Sequence, residues 1–271
     1  MKKSVLTVSA ILLLLMFACQ TNPFTGKKYF NYVSNGEIFP VAFQQYDEFL
    51  KENKVVKGTS AANNVVSVGQ KIKAAAEKYL NANGYKGYLD GYQWEYNLVQ
   101  DPAVNAWCMP GGKIVVYTGI LPITKNDAGL ATVMGHEVAH ALVNHGAQRM
   151  SVGTIQELGA VGVAVATSGK SQQAQQIYQQ AYGVTTQYGA ILPFSRKHEN
   201  EADEIGLTLM AIAGYNPEEA IDFWQRMEAN AGGSAPPEFL STHPSSSTRI
   251  NNIKKLIPKA KAEAAKFGVK F

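Results

Sequence analysis

The sequence predicts an α+β domain that is mostly helical, with a small sheet whose edge strand precedes the most chemically loaded helix. Three observations carry that prediction. Alternation of apolar and polar residues is confined to one stretch, near residues 92–117. Helical patterns lie on both sides of it and occupy nearly everything after it. No internal repeat offers a solenoid or propeller instead. The 271 residues, 46% hydrophobic and 17% charged, are an ordinary globular mixture with enough chain for one sizeable core.

The elements follow in order. Lys2-Lys3, the apolar Val5–Ala18 and small Ala18 before Cys19 read as a secretory signal over residues 1–18. At about fourteen residues the apolar stretch is short of a bilayer span. Cys19 sits where a bacterial lipoprotein signal places its acylated thiol, although Met16-Phe17 departs from the usual residues there; a plain secreted protein is the alternative. Residues 19–37, polar and turn-rich, suit a lipidated tether, and 38–271 the folded domain. Helices are expected near 38–53 and 61–82, the second carrying Val65, Val68, Ile72 and Tyr79 at helical spacing. Tyr92, Trp94, Tyr96 and Leu98 alternate as in a half-buried strand. Val104–Met109 and Lys113–Tyr117 form a hairpin turning at Gly111-Gly112.

From Asp127 to Met150 the pattern is helical. Residues 151–192, rich in Ala, Gly and Gln, read as helices of modest packing power, and their apolar run Val161–Ala166 is too short for a membrane span. A helix follows near 196–213. Asn216-Pro217-Glu218-Glu219 starts another, with Asn as cap. Gly232–Pro244 is a loop, and Ser247 caps a last helix carrying Ile250, Ile253 and Ile257.

Composition excludes some functions. Basic residues exceed acidic ones by four, two of them in the signal, and no basic run carries interleaved aromatics, so nucleic acid is not a partner. Cys108 is the one cysteine besides Cys19, so a lipidated Cys19 leaves no intramolecular disulfide. Cys108 lies in an apolar strand and reads as a small hydrophobe, not a nucleophile.

His136-Glu137-Val138-Ala139-His140 carries the chemistry. Four residues along a helix turn by about 40°, so the histidines project together and can share one metal ion. Glu137 stands alongside as the general base for a metal-activated water. Leu130, Ala131, Val133, Met134, Val138, Ala139 and Leu142 make the helix apolar on most sides, so two buried histidines need a partner. A catalytic zinc usually takes three protein ligands, and His145, His198, Glu199, Glu201, Asp203 and His243 are candidates for the third. His145 is rotated about 140° from His140, as for a capping or surface residue. Glu199, Ala202, Asp203 and Gly206 share one helix face. Small Ala202 and Gly206 let that face approach another helix, so Glu199 ligates while Asp203 orients a histidine or assists proton transfer. Glu201 points elsewhere and His198 reads as solvated.

Taken together, these motifs resemble the zinc metallopeptidase family that contains CAAX prenyl endopeptidases, HtpX and BepA. The resemblance rests on His136–His140, Glu199–Gly206, Asn22-Pro23-Phe24-Thr25-Gly26, Asn105-Ala106 with Pro110-Gly111-Gly112, and Thr242-His243-Pro244 with Arg249-Ile250. It runs from about residue 19 to 257 and is nearest the short, single-domain lipoprotein branch. It implies a zincin-like fold, one Zn2+ held by His136, His140 and Glu199, Glu137 as base, and Asp203 as an acid at or behind the site. It implies that the strand with Asn105 and Ala106 offers its edge to an extended substrate. In BepA-like relatives the loop histidine matching His243 can take the fourth zinc position, holding the enzyme latent, and Gly232-Gly233 could hinge that loop. The implied function is an endopeptidase cleaving misfolded or stalled envelope proteins, lipid-anchored at the outer membrane and facing the periplasm. A non-proteolytic chaperone or assembly factor with a structural zinc is the competing class. Residues 151–192, between the two ligand helices, are placed to form a lid.

Overall fold

The structure is a computed structural model that describes residues 19–231, 238–243 and 247–271. The signal at 1–18, the Gly232-Gly233 hinge and Pro244 lie outside the described residues. In chain order the elements are β1 (Cys19–Thr21), β2 (Lys28–Phe30), α1 (Asn35–Glu52), β3 (Val55–Val56), α2 (Ser60–Ala82), β4 (Glu95–Val99), β5 (Ala106–Met109) and β6 (Lys113–Tyr117). Helices complete the chain: α3 (Leu121–Thr124), α4 (Asp127–Leu142), α5 (His145–Thr167), α6 (Gln172–Thr186), α7 (Leu192–Ile212), α8 (Glu219–Asn230), α9 (Glu238–Thr242) and α10 (Ser247–Ala265). The fold is the expected α+β type, with the small sheet ahead of the histidine helix.

Two compact units divide it, and the larger comprises 35–143 and 199–271. Its sheet has the order β3-β4-β6-β5, with β4 and β6 parallel and the other neighbours antiparallel. β5 is therefore an edge strand. It pairs with β6 in the expected hairpin, Ala106 opposite Val116 and Met109 opposite Lys113. Gly111 and Gly112 both take the left-handed region, with φ +85° and +89°, which only glycine adopts at little cost. Tyr46, Val99 and Val115 are buried together on one side of the sheet, under Phe49, Trp107 and Tyr117. The Tyr46 hydroxyl is satisfied there, donating to the Ile114 carbonyl at 3.1 Å.

The smaller unit comprises 19–34 and 144–198 among described residues. Part of the expected tether is a two-stranded antiparallel hairpin, Cys19 opposite Phe30. It is tied to α5 where the Tyr32 N–H donates to Ser151 Oγ at 3.3 Å and the Tyr32 and Thr154 hydroxyls meet at 2.8 Å. α5 and α6 form an antiparallel helical hairpin, closed by Tyr182 Oη on the Gln156 carbonyl and Gln179 Nε2 on the Ala160 carbonyl, both at 3.0 Å.

The single helix expected over Asp127–Met150 is two. Asn144 at φ 54°, ψ 37° breaks it, and His145 starts α5. Asparagine tolerates that left-handed conformation because its short polar side chain can bond locally, so the signal for a break was one residue deep. α8 starts at Glu219 rather than at Pro217, while the Asn216 side chain still accepts the Glu218 N–H at 3.1 Å.

Candidate metal centre

The centre lies within the larger unit. The Asn126 side chain caps α4 by accepting the Gly129 N–H at 2.8 Å, and Asp127 complements the positive helix end. Every residue of α4 from Gly129 to Leu142 is buried, as its all-round apolar sequence requires. α7 crosses α4 backbone to backbone at Gly206 and Gly135. A Cβ on Gly206 would stand 2.8 Å from the His136 nitrogen, and one on Gly135 would stand 2.9 Å from the Gly206 carbonyl. That approach brings Glu199, two turns before Gly206 on the same face, to the histidines.

His136, His140, Glu199 and His243 form one cluster, with one ligand atom from each within 4.8 Å of the others. His136 Nε2 lies 3.1 Å from His140 Nε2, 3.2 Å from His243 Nδ1 and 3.3 Å from Glu199 Oε2. Glu199 Oε1 lies 3.3 Å from His140 Nε2, and Oε2 lies 2.9 Å from His243 Nδ1. Zinc bonds nitrogen and oxygen at about 2.0–2.1 Å, which sets the edges of a tetrahedron near 3.3 Å. The donors fit that cage, and their imidazole and carboxylate chemistry suits a single divalent cation.

A second layer orients the first. His136 Nδ1 is 2.9 Å from Asp203 Oδ1, a contact that places the proton on Nδ1 and turns Nε2 toward the cluster. Asp203 is gripped bidentately by Arg249, Nη2 to Oδ1 at 2.6 Å and Nε to Oδ2 at 2.8 Å. The Arg249 guanidinium lies 3.7 Å over the Trp224 ring, Nη1 donates to the His243 carbonyl at 3.3 Å, and Nη1 is 3.4 Å from Glu199 Oε2. Burial pushes the Asp203 carboxyl up, but Arg249 and His136 more than reverse it and hold it low. Glu199 is likewise raised by burial and driven well below the usual carboxylate range by His136, His140 and His243. Burial alone would lower His136, yet Asp203 and Glu199 raise it to about 9.

Each residue singled out from the sequence has a place. His136, His140, Glu199 and His243 converge, and Asp203 stands behind His136. Glu137 is buried beside them, its Oε1 3.3 Å from His243 Nε2. Asn105 and Ala106 lie at the start of edge strand β5, where α9 now sits: the Phe239 N–H donates to the Val104 carbonyl at 3.0 Å and Asn105 Nδ2 to Glu238 Oε1 at 3.1 Å. Cys108 is half-buried in β5, and burial pushes its thiol well above its ordinary value, against a nucleophilic role.

Two expectations are corrected. His145 is not a surface residue and His198 is not solvated. Both are buried, their rings stacked at 3.9 Å, and His198 Nε2 is 3.1 Å from Gln148 Oε1. Two imidazoles can shield each other's faces from water, an arrangement that residues 53 apart do not advertise. Arg249 and Trp224 had no assigned role. The signal for Arg249 was a cation beside Ile250, Ile253 and Ile257 on a buried helix face, which needs a carboxylate partner.

Residues 68–257 match the sequence profile described as Peptidase family M48. The chain is 38% identical over 203 residues to the mitochondrial metalloendopeptidase OMA1 of Saccharomyces cerevisiae, covering 72% of this chain and 56% of that protein. It is 28% identical to the human metalloendopeptidase OMA1, over 89% of this chain and 46% of that protein. It is 26% identical to the beta-barrel assembly-enhancing protease of Escherichia coli, over 58% of this chain and 33% of that one. The chain spans about half the length of the first two of these relatives and a third of the last.

Proposed function

The chain belongs to peptidase family M48, whose class is zinc metalloendopeptidase, and from that premise we propose that it cleaves misfolded or stalled proteins of a bacterial envelope. The observation that carries the proposal is the cage of His136, His140 and Glu199 with the Glu137 carboxylate beside it. A zinc ion, which His136, His140 and Glu199 would hold, would supply Lewis acidity there. Glu137 would take a proton from the attacking water and pass it to the leaving amine, a transfer that its buried placement next to the cluster makes short. Asp203, held by Arg249, keeps His136 in the tautomer that ligates. Edge strand β5, through Asn105 and Ala106, pairs with an extended stretch of substrate, which requires local unfolding and selects misfolded proteins.

His243 closes the site in this conformation. Its Nδ1 faces the other three ligands while its Nε2 faces Glu137, so the ring occupies the space between base and cage. α9, one residue before it, covers the start of β5. On this reading the same short segment would block both water and substrate and hold the enzyme latent. Acylation of Cys19, at the start of β1, would anchor the protein at the outer membrane facing the periplasm. A lipoprotein chaperone with a structural zinc is the second reading, which the four-donor closure favours. Similarity to both mitochondrial and bacterial proteases supports a role at a membrane-bounded compartment.

The test is cleavage of an unfolded protein such as casein by the zinc-loaded chain, beside Glu137→Gln. Loss of cleavage with zinc retained supports the peptidase and assigns the base. If neither cleaves, His243→Ala decides: activity released in that variant supports latency, and continued inactivity with zinc bound sinks the peptidase reading in favour of the structural one.

A further inference from the structure

Among the described residues, α5 is the one helix long and apolar enough to cross a membrane by length and composition. Geometry argues against a span. Its first turns are held inside their own unit, with Ala147, Gln148 and Ser151 buried. That leaves residues 152–167, about 24 Å of helix against a hydrocarbon core of about 30 Å. What the free part does show is a one-sided stripe. Leu158, Val161 and Val165 are 60–69% exposed on the side of α5 opposite α6, which packs through Gly159, Gln156 and Ala160, and Ile155, 52% exposed, lies at its flank. Single exposed apolar residues are ordinary; a continuous helix edge of them is not.

Charge is scarce over the whole hairpin. From Leu158 to Ser195 the one charged residue is Lys170, at the tip of the hairpin, where the composition of the whole chain would place about six. Around that stretch the exposed Arg149, Arg196 and Lys197 outnumber the single acid of 144–198, Glu157. The tip also satisfies its own polar groups. Thr167 Oγ1 donates to the Val163 carbonyl, Ser168 Oγ to Val165, Gln175 Nε2 to the Ser168 and Lys170 carbonyls, and the Lys170 N–H to Thr167. Such internal satisfaction is what a water-poor surround demands.

The remaining observation bears on the occupant. Thr154, whose hydroxyl meets Tyr32, shares the face of Leu158, Val161 and Val165, at spacings of four, seven and eleven. The segment bearing Cys19 therefore adjoins the stripe on one side of one helix. We propose that α5 lies in the headgroup–acyl boundary of one leaflet of a lipid bilayer with Leu158, Val161 and Val165 inward, the Gln-rich α6 toward water and Lys170 reaching back to the headgroups. Basic flanks favour an anionic leaflet. The proposal draws on the anchored reading for its choice of lipid over protein, and it does not depend on proteolysis.

The test uses the full chain carrying Cys19→Ser and Cys108→Ser, labelled with an environment-sensitive fluorophore at Val161→Cys or, as control, Lys51→Cys. Vesicles of phosphatidylethanolamine with phosphatidylglycerol should shift the emission at 161 to the blue and let nitroxide-labelled lipids quench it, with no change at 51. Leu158→Glu with Val165→Glu should abolish the shift and leave casein cleavage unchanged. An unshifted probe at 161 on vesicles that sediment with the chain overturns the proposal, as does a shift that survives the two glutamates. If the glutamates instead alter casein cleavage without any lipid signal, the face is a lid or a substrate surface. Protease activity absent even from His243→Ala, beside an intact lipid signal, would fault the peptidase reading alone.

Discussion

Gly206→Ala tests the way the two ligand helices build the centre. The added methyl would lie 2.8 Å from the His136 nitrogen, 2.9 Å from the Gly135 carbonyl carbon and 3.0 Å from the His136 Cα. Ordinary contact for such a carbon begins near 3.4 Å, and all three neighbours are backbone, which cannot swing aside as a side chain would. α7 must therefore move away from α4 by roughly 0.6 Å or tilt about the crossing, at a cost of about 1–3 kcal/mol. Glu199 rides on α7 while His136 and His140 ride on α4, so the displacement passes directly into the ligand cage. Metal sites tolerate only about 0.2 Å in ligand distance. We expect zinc affinity to fall on the order of 10–100-fold, the loss typical of disturbing the groups that support a ligand. The assay is zinc retained against a graded series of chelators, with thermal unfolding beside it. Gly153→Ala is the control, because its Cβ would meet nothing within 4 Å; as a helical glycine replaced by alanine it should stabilise by about 0.5–1 kcal/mol. Wild-type zinc retention together with unchanged unfolding in Gly206→Ala would refute the close-crossing account.

Arg249→Ala strips Asp203 of its bidentate partner and should cost about 3–5 kcal/mol in urea unfolding, because a buried carboxylate is left uncompensated. Arg249→Lys restores the charge without the fork and should fall between that variant and wild type; equal stability of Lys and Ala variants would count against the bidentate grip. Gly112→Ala places a side chain at φ +89° and 2.8 Å from the Trp94 ring, so it should lower stability by about 1–3 kcal/mol while zinc content is unchanged. A lowered zinc content would show that the hairpin turn supports the metal site as well as the sheet.

How much of this was legible in the sequence depends on how far apart the cooperating residues lie. His136, Glu137 and His140 sit within five residues of one helix, so their joint projection follows from helical pitch alone. Glu199 and Asp203 were legible for a related reason, since Ala202 and Gly206 on the same face mark a helix that must approach another closely. The alternation of Tyr92, Trp94, Tyr96 and Leu98 gave the strand but not its start, since β4 begins at Glu95; the Gly111-Gly112 turn was readable because glycine alone accepts both its dihedrals. β3, two residues long, has no pattern to read: it exists because the β4 edge is there to pair with.

The partners that escaped share one property, a contact between residues whose separate environments look ordinary. His145 and His198 are each a lone histidine in sequence, and it is their stacking on each other, with Phe194 and Gln148 beside His198, that accompanies their burial. Arg249 carries the stronger lesson. Asp203 is fully buried and charged, which by itself would be costly. The apolar surroundings of α4 and the acid behind His136 together required a cation somewhere in the fold, and Arg249 was the cation on a helix face otherwise made of isoleucines and alanines. The requirement was therefore visible before the partner was. A buried carboxylate that orients a metal ligand needs a positive group with fixed geometry. Arginine meets that need where lysine does not, because its fork holds both carboxylate oxygens while its flat face packs on Trp224. The same fork reaches Glu199 and the carbonyl of His243, so one side chain links the cluster, the acid behind it and the segment that carries His243.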